Sequence, residues 1–261
     1  MSAEKLQSTS TGGPHALRAS GLSWGVLGLT IVDDVDLEVG RGELVSVIGP
    51  NGAGKTSLIN LLSGVHSPDA GTVELLGEDI TGLRPSERVK RRLGRTFQTS
   101  SLFAGLTVEE NVRIAAQAAL GGSLNLFRRP RAGDTAHDVA GDALERVGLT
   151  DSAGDQVAEL SHGDKRKLEL AMVIAGDPGV VLLDEPTAGV SVEDTRPLVD
   201  LIQQLHEEGL SVVMVEHRME FVIDVSDRVA VMHEGRLLTS GTPDEVMADD
   251  RVRDAYLGRG E

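Results

Sequence analysis

This chain of 261 residues contains no cysteine. Disulfides, thiolate metal sites and cysteine nucleophiles are therefore excluded. Basic charge is also scarce: 25 Lys and Arg stand against 41 Asp and Glu, a net charge of −16. A nucleic-acid binder needs a basic face to displace counterions, so nucleic acid is not expected as a partner. Lysine occurs only five times, at Lys5, Lys55, Lys90, Lys165 and Lys167. Excess acid with little lysine suits a salt-rich cytoplasm as well as it suits an ordinary acidic protein. No apolar run approaches the roughly 18–20 residues that span a bilayer, and no leader-like start is seen. With 40 % hydrophobic residues, a globular cytoplasmic chain with a real core is expected. No internal repeat is found, and residues 1–16 read as a polar, disordered tail.

Against these absences stands the stretch from Leu44 to Leu62. LVSVI is a short apolar run rich in β-branched residues, the pattern of a strand buried on both faces. GPNGAGKT then fits G-x-x-x-x-G-K-[ST] through Gly49, Pro50, Asn51, Gly52, Ala53, Gly54, Lys55 and Thr56. Leu58, Leu61 and Leu62 follow at helical spacing, with Gly64 as a C-cap. The order strand, glycine loop, helix separates this match from a chance glycine-rich turn. Backbone N–H groups of the loop and the positive end of the helix are expected to hold phosphates. Lys55 is expected on the β- and γ-phosphates and the Thr56 hydroxyl on Mg²⁺, with Ser57 completing the binding set. The ligand expected is a nucleoside triphosphate.

The N-terminal third mixes short strands and turns, an antiparallel pattern around one buried strand. From about Arg95 to about Lys165 the character is helical, opened by the capping box Thr107-Val108-Glu109-Glu110. A basic loop, LFRRPRAG, lies within this insertion. The remainder alternates strand and helix, the order of a parallel sheet with crossovers. Two acids, Asp184 and Glu185, close the apolar strand from Val180. A carboxylate at such a strand end can hold Mg²⁺, so Asp184 is the candidate, and Glu185 could polarise an attacking water. Ser161, with Asp164 three residues on, is read either as a helix cap or, with Gly163, as a second anion site.

The ordered set GPNGAGKT, RTFQ, LSHGD, VVLLDE and VEH resembles the ATPase subunit of an ABC transporter, over nearly all of the chain from Leu17 to Glu261. The resemblance implies an α/β fold: a P-loop NTPase (RecA-like) parallel-sheet core, an antiparallel β subdomain and an inserted α-helical subdomain. It implies that Gln98 touches Mg²⁺ or the attacking water, that His217 contacts the γ-phosphate beside Glu185, and that Ser161 and Gly163 grip ATP held by a second subunit. His162 and Asp164 stand where the family usually has glycine and glutamine, and Ser191 where many members have aspartate. The aromatic that stacks on adenine aligns near Val26, with Trp24 either its substitute or a structural ring. RTFQTSSLFAGLTVEENV, the basic loop and DDRVRDAYLG are most similar to importers of branched-chain and other hydrophobic amino acids. Urea and short-chain amide importers are the alternative; exporter-type ATPases and P-loop kinases stand further off. The implied partners are a second ATPase subunit, in a homo- or heterodimer, two transmembrane permease subunits and, indirectly, a solute-binding protein. The implied place is the inner face of the cell membrane.

Overall fold

In the computed structural model, which describes residues 15–96, 102–120 and 135–257, the chain begins with β1 (His15–Val26) and β2 (Leu29–Gly40). It then enters β3 (Leu44–Ile48) and α1 (Lys55–Ser63), followed by β4 (Ala70–Leu75) and β5 (Glu78–Asp79). A short α2 (Pro85–Val89) and β6 (Leu93–Arg95) lead to α3 (Val108–Ala119), α4 (Thr135–Arg146) and α5 (His162–Ile174). The last part alternates through β7 (Val180–Asp184), α6 (Val192–Glu207), β8 (Ser211–Val215) and α7 (Met219–Val225). It ends with β9 (Arg228–His233), β10 (Arg236–Gly241), α8 (Pro243–Ala248) and α9 (Asp250–Leu257).

Every residue of β3, β7 and β8 is buried, as their largely apolar runs lead one to expect. These strands sit inside a six-stranded sheet of order β10-β9-β3-β8-β7-β6, parallel except for β10 at one edge. A second, antiparallel sheet has the order β2-β1-β4-β5. Its inner face (Leu17, Ala19, Leu22, Val32, Val35) joins α1 and one face of the parallel sheet in a single core. The other face packs with α3, α4, α5 and α6. The fold is thus the α/β architecture expected, with its antiparallel and helical additions. β1 starts at His15 and buries Ala16, so strand structure begins two residues ahead of Leu17. α2, β6 and α7 had no clear sequence signal: the two helices are two turns or fewer, too short for helical periodicity to register, and β6 is three residues long.

The helix starts of α3 and α6 carry side-chain caps. Thr107 and Glu110 form a reciprocal capping box, and the Ser191 hydroxyl accepts the Asp194 N–H at 3.1 Å. The His233–Arg236 turn has positive φ at Glu234 (49°) and Gly235 (82°), the geometry that matches hairpin twist.

Candidate nucleotide site

β3 lies between β9 and β8, so the chain leaves the middle of the sheet into the glycine loop. Gly49 (φ 149°) and Gly54 (φ 102°) press on other backbone. A Cβ would stand 2.1 Å from the Met232 carbonyl oxygen at the first and 2.8 Å from that of Ile31 at the second. Only glycine fits there. The Ala53 N–H donates to the Pro50 carbonyl, and the Gly235 N–H to the Ala53 carbonyl, both at 3.1 Å, fixing the loop's outline. Gly54 is the N-cap of α1; no side chain caps that end and no acid lies in its first turn. Its leading N–H groups are left to an anion. Lys55 is buried, and its ammonium donates to the Gly49 carbonyl at 2.8 Å and the Pro50 carbonyl at 3.1 Å. Burial lowers its pKa, opposed by Glu185 and Asp184 close by. A phosphate would offer that ammonium a charged acceptor in place of two neutral ones. Asn51, Gly52 and Thr56 are exposed at the same end, with Pro50 and Ser57 half-buried.

β8 separates β3 from β7, which ends at Asp184 in register with Val215. The Asp184 side chain is 1 % exposed. Its Oδ2 accepts from Arg95 Nη2 at 3.4 Å, and its Oδ1 has no partner. Burial raises its pKa, with the Arg95 guanidinium pulling the other way. A buried carboxylate oxygen left bare is costly until a cation or donor reaches it. The Thr56 hydroxyl, this oxygen and incoming phosphate oxygens form a hard oxygen donor set, which fits Mg²⁺. Among the described residues no cluster of three or more ligating side chains could hold a metal alone.

Glu185 has φ 51°, a left-handed conformation strained for a residue with a side chain. Its N–H donates to the Val215 carbonyl at 2.9 Å, holding the loop after β7 against the end of β8. Glu185 Oε1 lies 2.7 Å from His217 Nε2, so two residues named separately from the sequence meet as a hydrogen-bonded pair. The imidazole thus holds the carboxylate in place beside the glycine loop.

Ser161 and Gly163 form a different arrangement. The Ser161 hydroxyl accepts the Asp164 N–H at 3.0 Å and donates to Asp164 Oδ2 at 2.9 Å, so the cap reading holds within the chain. Gly163 is buried against α6, where a Cβ would come 2.7 Å from Asp194 Cβ. Among the described residues no hydrogen bond or ion pair joins these two to the glycine loop. Trp24 stacks on His66, with ring centroids 4.4 Å apart and 9° between planes, which favours the structural reading of that ring. Val26 is exposed at the end of β1. Gln98 lies outside the described residues.

Three contacts around the site had escaped sequence reasoning. Arg95 Nη1 donates to the Ser63 hydroxyl at 2.5 Å while its other nitrogen holds Asp184. The Thr187 hydroxyl donates to the buried Glu216, tying the loop after Glu185 to the residue before His217. Arg88, 1 % exposed, donates to the Leu61, Leu62, Leu83 and Thr81 carbonyls, and so caps the far end of α1. Each joins residues distant in the sequence, where no local pattern could reveal the pair.

Comparison with known proteins adds to this geometry. Residues 32–188 match the ABC transporter family, and residues 236–261 match the branched-chain amino acid ATP-binding cassette transporter group. The chain is 38 % identical to the high-affinity branched-chain amino acid transport ATP-binding protein LivG of Escherichia coli, over 93 % of this chain and 97 % of that one. Identity to BraF of Pseudomonas aeruginosa, of the same description, is 37 % over the same shares. Among solved structures, the ADP conformation of MJ1267, an ATP-binding cassette of an ABC transporter, superposes with a TM-score of 0.82 at 26 % identity. That match covers 94 % of this chain and 99 % of the other.

Proposed function

This chain belongs to the ABC transporter family of ATP-binding cassettes and is an ATPase, and we propose that it powers an importer of branched-chain or other hydrophobic amino acids. Its nearly full-length similarity to LivG and BraF and the match of its C-terminal residues support that solute class. One observation carries the assignment of the site. The uncapped end of α1 with Lys55, the bare Oδ1 of Asp184 and the Glu185–His217 pair converge at the C-terminal ends of the inner strands β3, β8 and β7.

The residues divide the work. The loop from Gly49 to Thr56, with Ser57, seats the phosphates, and Lys55 exchanges the Gly49 and Pro50 carbonyls for β- and γ-phosphate oxygens. Thr56, Asp184 and Gln98 would hold Mg²⁺, which would supply neutralisation of the phosphate charge. Glu185 accepts the proton of the attacking water while His217 fixes its carboxylate. Ser161 and Gly163 face the nucleotide of a second ATPase subunit, so that two ATP molecules close a dimer. Closure is passed to two permease subunits. Their seat is a groove of about 270 Å³ between β6, α3 and α5, walled by Leu102, Ala115, Ala118, Met172 and Val173. Among the described residues no helix is long and apolar enough to cross a membrane. The chain works at the inner face of the membrane, on permeases fed by a solute-binding protein.

Glu185→Gln is the test. It is expected to bind ATP, to lower phosphate release by on the order of 10²-fold or more, and to elute with ATP as a dimer on gel filtration with light scattering. A monomer with unchanged turnover would defeat the reading. Uptake of labelled isoleucine, rather than urea, by vesicles holding this chain and its permeases is the expected solute result.

A further inference from the structure

The buried ion pair of Asp184 has a consequence for the cation that accompanies ATP. Arg95 is the last residue of β6, paired in register with Leu182 two residues before Asp184. That pairing brings its guanidinium under the end of β7. The side chains of Arg95 and Asp184 are 11 % and 1 % exposed, so little water screens them. Nη1 is anchored on the Ser63 hydroxyl at 2.5 Å, at the last residue of α1, and Nη2 reaches Asp184 Oδ2 at 3.4 Å. Ser63 is held in turn, its hydroxyl donating to the Asn60 carbonyl at 3.2 Å. One oxygen of Asp184 is therefore engaged from below and the other, Oδ1, is left bare.

We propose that Arg95 is a positioning residue for the metal carboxylate: by holding Oδ2 of Asp184 it turns Oδ1 to the divalent cation of the bound nucleotide. The proposal rests on the reading that Asp184 receives that cation. Partners of this kind fix the rotamer of a metal ligand, and their loss weakens metal binding by about 10–100-fold. The fork geometry matters as well as the charge, since a single point donor cannot bridge Ser63 and Asp184 together.

Mn²⁺ serves as the probe, titrated by electron paramagnetic resonance into the chain saturated with a non-hydrolysable ATP analogue. Metal-free nucleotide binding is followed separately with a fluorescent ATP analogue in EDTA. Arg95→Met is expected to weaken Mn²⁺ binding by about 10–100-fold while the EDTA affinity stays within about twofold of wild type. Arg95→Lys is expected to recover part of the loss. Equal Mn²⁺ affinity in Arg95→Met and wild type would overturn the proposal. So would a matching loss of nucleotide affinity in EDTA, which would make Arg95 a general support of the site. Should Arg95→Met fail to fold, Ser63→Ala removes only the anchor and is expected to weaken Mn²⁺ a few-fold; no change there would also overturn it. A wild-type chain that takes up no Mn²⁺ with the nucleotide would instead defeat the assignment of Asp184 itself, and the proposal with it.

Discussion

Two helix starts in this chain, those of α1 and α5, handle their spare N–H groups in opposite ways. α1 begins at a left-handed glycine with no side-chain cap, and its lysine is folded back onto the loop's own carbonyls. α5 begins at Ser161, whose hydroxyl is closed on Asp164 from both directions. The first start lies beside two carboxylates of the same chain, the buried Asp184 and the half-buried Glu185. The second is exposed and has no contact with the glycine loop among the described residues. A helix end left uncapped in a crowded site is built for a ligand. One that caps itself at the surface is stable alone and acquires a ligand only when something is brought to it.

The largest expected effect comes from the uncapped end. Lys55→Ala should lower phosphate release by on the order of 10³-fold, as loss of a charge donor at developing phosphate charge demands. Circular dichroism should show the fold retained; wild-type turnover in this variant would refute the role of α1. The opposite end of the same helix tests stability instead. Arg88→Ala strips four carbonyl acceptors of a buried donor, at a cost of about 3 kcal/mol, readable as a lower urea midpoint. Lysine should not rescue it, because one ammonium cannot span those carbonyls. At the self-capped start, Ser161→Arg is expected to cut turnover by roughly tenfold, while nucleotide affinity of the isolated subunit stays within about twofold. Equal loss of affinity and turnover would mean that α5 acts inside its own subunit.

The smallest effect concerns the strap between the loops that carry Glu185 and His217. Burial raises the pKa of Glu216 above its ordinary 4.5, with the Thr187 hydroxyl and the Arg218 N–H opposing. A raised acid pKa means that the folded state binds the proton more readily than the unfolded chain. Stability from this group is therefore fully present below pH 4.5 and is lost as pH rises through the folded value. Glu216→Gln keeps the acceptor for Thr187 and cannot ionise. Its melting temperature should match or exceed that of wild type by about 2 °C at pH 7.5, the gap closing toward pH 4. A large drop at neutral pH would show that the charge itself is needed.

Contiguous residues were enough for the glycine loop and α1. LVSVI, GPNGAGKT and SLINLL are covalent neighbours, so their order in the chain is already their order in space. The caps at Thr107 and Ser161 were readable for the same reason, since donor and acceptor lie three residues apart. Buried strands announced themselves by composition, because a strand covered on both faces is mostly apolar, β7 admitting a carboxylate only at its end. Short elements did not: β6 is three residues long, too few for any periodicity to register.

Folding alone decided the pairs. Glu185 and His217 are 32 residues apart, and Arg95 and Asp184 are 89 apart. Each pair meets because the sheet sets β8 beside β7 and β7 beside β6, an order that strand composition does not encode. Trp24 shows the same limit. Its sequence position offered a base platform or a structural ring, and only the fold showed that His66, from the loop after α1, stacks on it. Chemistry that needs neighbours along the chain was written in the residues; chemistry that needs neighbours across strands waited for the sheet to form.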